Sequence, residues 1–173
     1  MSTTSIYKVK TSKVHGKGVY ASKNIKKGTK IIEYIGEKIS RKEGNKRSEN
    51  RIKKYLGSSK MGSVYIFELN NKTDIDGSPL YNKARYINHS CDPNCEVDID
   101  NGEIWISSIR NIKKGDELSY DYGYSFDKDD YKDHACKCGS KYCIGYIISS
   151  DEWDKFIRLI KKNVKTLKKN AKS

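Results

Sequence analysis

Cys136, Cys138 and Cys143 stand together as Cys-x-Cys-x4-Cys near the end of the chain, and the other two cysteines, Cys91 and Cys95, lie far upstream. This arrangement constrains the fold more than any other feature. Three thiolates are one short of a closed tetrahedral zinc site. A fourth ligand has to come from elsewhere, and Cys91 and Cys95 are both candidates. Either choice pins the C-terminal segment against the middle of the chain. The opening residues Met1-Ser2-Thr3-Thr4-Ser5 lack the apolar stretch of a secretory leader. Clustered cysteines without such a leader indicate metal binding before disulfides, with unpaired buried thiols as the plainer alternative.

The 173 residues suit one domain with a small appendage. With 35% hydrophobic and 33% charged residues, the core is expected to be lean. No apolar run reaches the length of a membrane span, so no membrane association is expected and an intracellular location is the default. The formal charge of +13 favours acidic partners, either nucleic acid or surfaces that carry it. The bland explanation is compositional, since Lys, Asn, Ile and Tyr are the residues an AT-rich genome favours.

Short strand-like runs dominate. Lys30 to Ile35 is β-branched, and Val64 to Leu69 and Thr73 to Asp76 are further strand candidates. Cys95 to Ile99 and Glu103 to Ser108 alternate apolar and polar residues around Asp100-Asn101-Gly102, a strong hairpin signal. Asn-Ile-Lys-Lys-Gly occurs at Asn24 to Gly28 and again at Asn111 to Gly115, and is read as one polar turn used twice. Ser40 to Leu56 is charged with few apolar positions, and is expected to be a surface insertion, helical in part. These features imply a mostly β domain. A C-terminal amphipathic helix is expected from Ser149 on, with Trp153, Phe156, Ile157, Ile160, Val164 and Leu167 on one face and Ser149 and Glu152 as a capping box. From Asp154 onward it carries eight Lys or Arg against one Asp, so its outer face is basic. Packing on its own domain is the expected role, ahead of nucleic-acid contact or dimerisation.

Three motifs then follow one another: His15-Gly16-Lys17-Gly18, the run Arg85-Tyr86-Ile87-Asn88-His89-Ser90-Cys91-Asp92-Pro93-Asn94, and Glu117-Leu118-Ser119-Tyr120-Asp121-Tyr122 ahead of the cysteines. Each alone is a modest signal; Gly-x-Gly is usually a turn and an Asn-His pair is usually structural. In this order they resemble SET-domain protein lysine methyltransferases with a post-SET zinc motif, in a form most like compact bacterial or viral stand-alone SET proteins. The resemblance covers roughly residues 5 to 148. It implies several short curved sheets with a pseudoknot, a SET domain over residues 5–124, a zinc-bound post-SET segment over 132–148 and a basic helix over 149–173.

The resemblance also assigns roles. It makes Tyr122 the catalytic residue and places His15, Lys17, Gly18, Tyr20, Tyr65, Arg85, Asn88 and His89 on S-adenosylmethionine. Tyr65, Phe67, Tyr86 and Tyr120 become the walls of a substrate-lysine channel. Strand alternation puts Tyr65 and Phe67 on one side. The cysteine of Asn-His-Ser-Cys completes the family's cluster, so Cys91, Cys136, Cys138 and Cys143 become the Zn2+ ligands and Cys95 stays free. The implied function is methyl transfer to the ε-amine of a protein lysine, in a histone, a ribosomal protein or another nucleic-acid-associated protein. In a eukaryotic setting the location is the nucleus or chromatin, and otherwise the cytoplasm. The competing reading is a non-catalytic SET-like zinc protein that binds nucleic acid through its basic surface. A tyrosine at position 120, where the family also uses phenylalanine, implies mono- or dimethylation.

Overall fold

The computed structural model describes residues 5–55 and 65–170, apart from the side chains of Tyr55 and residues 163–170. Ten short strands and two helices follow in order. They are β1 (Tyr7–Thr11), β2 (Lys17–Ala21), β3 (Lys30–Glu33), β4 (Glu37–Ser40), α1 (Arg41–Tyr55), β5 (Ile66–Glu68), β6 (Thr73–Asp76), β7 (Asn88–His89), β8 (Cys95–Asp100), β9 (Glu103–Ser108), β10 (Ser119–Tyr120) and α2 (Trp153–Asn170). The strands make four small sheets: β1-β2, β10-β7, β3-β9-β8 and β4-β6-β5. The chain is therefore mostly β, as its turn-rich alternating pattern implied.

The β8–β9 hairpin forms in the register the sequence suggests, from Cys95 opposite Ser108 to Asp100 opposite Glu103. Asn101 and Gly102 turn it with φ of 51° and 77°, the left-handed pair that matches strand twist. The two Asn-Ile-Lys-Lys-Gly copies pair with each other. Ile25 and Ile112 exchange both backbone hydrogen bonds at 2.8 and 2.9 Å. The asparagines cross over: Asn111 Oδ1 accepts from Lys27 N–H at 3.0 Å, and Asn24 Oδ1 from Lys114 N–H at 2.8 Å. A sequence repeat thus becomes a local two-fold clasp that carries β3 and the Glu117–Tyr122 segment away from a common point.

The main core holds Val19, Ile32, Tyr34, Ile87, Ile104, Ile106 and Leu118, all buried. A second cluster forms around Phe126, Tyr131, Ile148 and Phe156, with Trp153, Leu159 and Ile160 of α2 packed against it. The parallel β7–β10 pair sets Asn88 beside Ser119 and His89 beside Tyr120, the juxtaposition that a threaded arrangement needs.

Several expectations change. Glu37–Ser40 is a strand the hydrophobic pattern does not reveal, because Ile39 is its one buried residue. Residues 41–55 form a complete helix rather than a partial one. In α2, Leu159 packs inward while Ile157 is 37% exposed; Val164 and Leu167 lie outside the described side chains. The capping box does not form: a 3-10 turn at Ser150–Glu152 precedes α2, and the Ser149 side chain makes no cap bond. Glu152 Oε2 instead accepts from Phe126 N–H at 2.6 Å. Ser149 N–H donates to Tyr124 O and Ser150 N–H to Asp121 Oδ2, both at 2.8 Å. The helix start is thus stitched to the segment that follows Tyr122. Among the described residues, no helix is long and apolar enough to cross a membrane.

Candidate functional site

Tyr122 lies at the junction of the sheets. Its hydroxyl donates to Ile87 O at 3.0 Å, and its N–H donates to His89 Nδ1 at 3.2 Å. Burial, reinforced by Tyr124 and Tyr65, pushes the phenol above its ordinary range, so it is a proton-bearing donor at neutral pH and not a base. A line of rings runs through it. Tyr34 meets Phe67 at 4.5 Å between centroids, Phe67 meets Tyr120 at 5.9 Å, Tyr120 meets Tyr122 at 5.1 Å and Tyr122 meets Tyr124 at 5.8 Å. Such a wall accepts an aliphatic stem and sheds water.

Phe67 and Tyr120 are neighbours in this line of rings. Tyr65 does not follow strand alternation: its φ is 59°, and it precedes β5 instead of lying in it. An aromatic residue in that region is an outlier and is held by its neighbours. Its carbonyl accepts from Gly77 N–H at 2.8 Å and from the Tyr34 hydroxyl at 3.1 Å. Its ring lies 4.2 Å from the Arg85 guanidinium, which also faces Tyr86 at 5.4 Å. Lys17 Nζ approaches the other aromatic of this pair, Tyr86, at 5.2 Å.

On the opposite side Asn88 Nδ2 donates to Glu117 Oε1 at 2.8 Å and to Lys17 O at 3.1 Å, with His15 O at 3.4 Å. Glu117 gathers this corner: Ser12 Oγ donates to it at 2.7 Å and the Tyr20 hydroxyl at 2.8 Å. Gly18 leaves room for this arrangement, because a Cβ there would displace the Glu117 carboxylate and press on Ser12. A cavity of about 530 Å³ opens beside Asn88, His89 and Glu117, closed on its far side by Cys138, Gly139 and Ser140. That size and polar lining fit a nucleoside-bearing ligand.

The thiols of Cys91, Cys136, Cys138 and Cys143 all lie within 4.8 Å of one another. Cys91 Sγ is 3.8 Å from Cys136 Sγ and 3.9 Å from Cys143 Sγ. A tetrahedron with Zn–S bonds of about 2.3 Å has edges of about 3.8 Å, so the donor set fits zinc. Burial pushes the Cys91 thiol up to about 12, so a metal has to displace its proton. Cys95 is 1% exposed, faces Asn94 Oδ1 at 3.4 Å and stays outside the cluster. His89 links the cluster to Tyr122. Burial lowers its pKa, and Nδ1 accepts from Tyr122 N–H. The ring proton is therefore on Nε2, 3.5 Å from Cys91 Sγ.

Sequence reasoning passed over Tyr34 and Tyr124 as wall residues and Glu117 as a hub. Tyr34 was legible two positions after the inward Ile32. Glu117 had no signal beyond its place in a motif.

A half-buried tyrosine linked through His89 to a four-thiol cluster and a polar cavity, among paired short sheets, defines a class. Residues 16–123 match the SET domain family, and the chain belongs to it. It is 39% identical over 136 residues to Histone-lysine N-methyltransferase 2D of Homo sapiens, covering 76% of this chain and 2% of that protein. It is 43% identical over 137 residues to Histone-lysine N-methyltransferase trr of Drosophila melanogaster, covering 76% of this chain and 5% of that one. It is 36% identical over 140 residues to the H3 lysine-4 specific histone-lysine N-methyltransferase of Saccharomyces cerevisiae, covering 79% and 12%. The chain thus spans a small fraction of the length of these relatives.

Proposed function

We propose that this chain transfers a methyl group from S-adenosylmethionine to the ε-amine of a lysine in a histone-class protein. The carrying observation is half-buried Tyr122, whose hydroxyl donates to Ile87 O, whose ring stands in the line of aromatics and whose N–H bonds His89 of the polar cavity. Membership of the SET family and the names of the relatives support the same reading.

S-adenosylmethionine, when bound, supplies an electrophilic methyl on a sulfonium centre. Asn88 and His89, which line the cavity, would hold it there, with His15 and Lys17, whose carbonyls Asn88 bonds, and Gly18 and Tyr20 beside it, and Tyr65 and Arg85 at the channel side. The lysine stem would pass Phe67, Tyr86 and Tyr120. The chain's own work is to orient the amine, exclude water and fix the approach. Tyr122 stays protonated, so it positions and does not abstract. A lysine near pKa 10.4 then loses its proton to solvent before entry, helped by desolvation in the ring-lined channel. Zinc on the four thiols would hold the cavity's far wall. The net charge of +13 gives no steering toward an isolated basic tail but does toward a tail on nucleic acid, which supports a chromatin setting and a nuclear location.

A labelled-methyl assay on core histones and on nucleosomes tests this. Label on a histone lysine, and faster transfer on nucleosomes at low salt, are expected; no transfer to any histone by zinc-loaded protein overturns the reading. Two variants refine it. Gly18→Ala is expected to weaken S-adenosylmethionine binding about tenfold by calorimetry, because Glu117 must leave Asn88 to admit the methyl group, equivalent to about 1.4 kcal/mol. Tyr120→Phe is expected to raise the degree of methylation. The Tyr120 ring is buried between Phe67 and Tyr122, and losing its hydroxyl frees the space a methylated amine needs to turn. Mass spectrometry should show mono- and dimethyl product with the natural chain and added trimethyl product with the variant.

A further inference from the structure

Among its described side chains, the α1 helix offers little for apolar packing. Its one aliphatic side chain, Ile52, is 43% exposed. What holds it is charge on β6. Asp74 and Asp76 are 1% and 3% exposed, an unusual burial for carboxylates. Arg41 Nη1 reaches Asp74 at 3.2 Å and also pairs with Glu68. Gly44 rests directly on Asp74, where any Cβ would collide with the carboxylate. Arg47 and Arg51 both reach Asp76 Oδ2 at 2.9 Å, and Arg47 also pairs with Glu37 at 2.6 Å and Glu43 at 2.9 Å. Burial raises the Asp76 carboxyl, but its Arg51, Arg47 and Ser78 donors outweigh that and bring it to about 2. It stays charged at any working pH.

The two aspartates differ in what lies behind them. The Asp74 carboxylate meets Arg41 and Gly44 of α1. Asp76 opens onto the channel wall. Its Oδ1 accepts from Ser78 N–H at 3.1 Å, and Arg51 also donates to Ser78 Oγ at 2.9 Å. Ser78 O in turn accepts from Arg85, whose guanidinium lies on Tyr65. Gly77, between Asp76 and Ser78, donates to the Tyr65 carbonyl. Asp76 also sits opposite Ile66, the residue after Tyr65. Two routes, one through Gly77 and one through Ser78 and Arg85, therefore join its carboxylate to Tyr65.

We propose that Asp76 is a positioning residue that couples the pose of α1 to the Tyr65 wall of the channel, so that the insertion helix sets how the channel accepts a protein substrate. The coupling is reciprocal: what restrains α1 through Asp76 restrains Tyr65, and the converse. It rests on the proposed methyl transfer for its kinetic consequence, though not for its structural one.

The test compares Asp76→Asn with Asp74→Asn and Glu37→Gln in the full zinc-loaded chain. Hydrogen exchange of the free protein is read at the α1 amides and at Ile66–Phe67, and methyl transfer is read on core histones. Asp76→Asn is expected to speed exchange at both places and to raise KM for histone about tenfold, with S-adenosylmethionine affinity within twofold. Asp74→Asn is expected to loosen α1 alone, and Glu37→Gln to leave KM within twofold. If Asp76→Asn unfolds the chain, the pair Arg47→Gln and Arg51→Gln substitutes for it, since together they remove both helix arms and leave Asp76 bonded to Ser78. Equal behaviour of the Asp74 and Asp76 variants, or unchanged exchange at Ile66–Phe67 in Asp76→Asn, overturns the coupling. If the natural chain methylates no histone, the functional reading fails, and the exchange pattern still decides the coupling.

Discussion

Tyr122→Phe is expected to lower methyl transfer by about a thousandfold while S-adenosylmethionine affinity stays within about threefold, a loss of about 4 kcal/mol confined to the chemical step. The Tyr122 hydroxyl donates to Ile87 O at 3.0 Å, and burial keeps its proton in place. The ring is packed by Tyr120, Tyr124 and His89, so phenylalanine keeps the ring where it is. What disappears is the one fixed polar contact between the channel's end and the carbonyl of Ile87. An amine arriving there loses an oriented partner, and small misplacements in a displacement at carbon are costly. The polar cavity proposed for S-adenosylmethionine is lined by Asn88, His89 and Glu117, which the substitution leaves in place. Single-turnover transfer on histone and calorimetry with S-adenosylmethionine separate the two effects. Transfer at the natural rate would remove Tyr122 from the mechanism.

Much of this site was legible because local signals agreed with one another. The Asn101-Gly102 hairpin, the helix around Phe156 and the thiol spacing each depend on neighbours in sequence, and each forms. The choice of Cys91 over Cys95 came from family likeness, and the structure supplies the reason. Cys95 begins β8 and faces the core at 1% exposure, whereas Cys91 follows β7 directly beside the other thiols. What stayed hidden depends on distant partners. The α1 helix has no apolar stripe because Asp76, at sequence separations of 25 and 29 from Arg51 and Arg47, does the holding. The capping box failed because a distant amide, Phe126 N–H, claimed Glu152. Tyr65 escaped strand alternation because Gly77 and Tyr34 fix its carbonyl. Each is tertiary structure overriding a local pattern.

The metal is expected to matter most of all. Purified chain should carry one zinc, and removing it with a strong chelator, or by Cys138→Ser, should unfold residues 134–148 and abolish most S-adenosylmethionine binding. That segment has little of its own to hold it. Ala135 and Tyr146 form one bridge, Cys136 N–H bonds Gly145 O at 2.9 Å and Ile147 N–H bonds His134 O at 2.7 Å. Ordering each residue costs about 1–2 kcal/mol, and a buried Ile148 or Phe156 side chain returns only about 1.5–3 kcal/mol. Structural zinc on thiolates binds with about 10–16 kcal/mol in small metal-dependent peptides, enough to decide the balance. Cys138, Gly139 and Ser140 form the far wall of the cavity, so the wall goes with the metal. The effect reaches Tyr122 as well, because His89 has Nε2 against Cys91 and Nδ1 on the Tyr122 amide. Since Cys91 binds zinc only as thiolate and its thiol sits at about 12, protons compete with the metal. Zinc affinity should therefore fall as pH falls. Cys95→Ser is the control and should keep its zinc. Elemental analysis of both serine variants, with hydrogen exchange over residues 134–148, reads the outcome; zinc retained in Cys138→Ser or lost from Cys95→Ser would reassign the ligands.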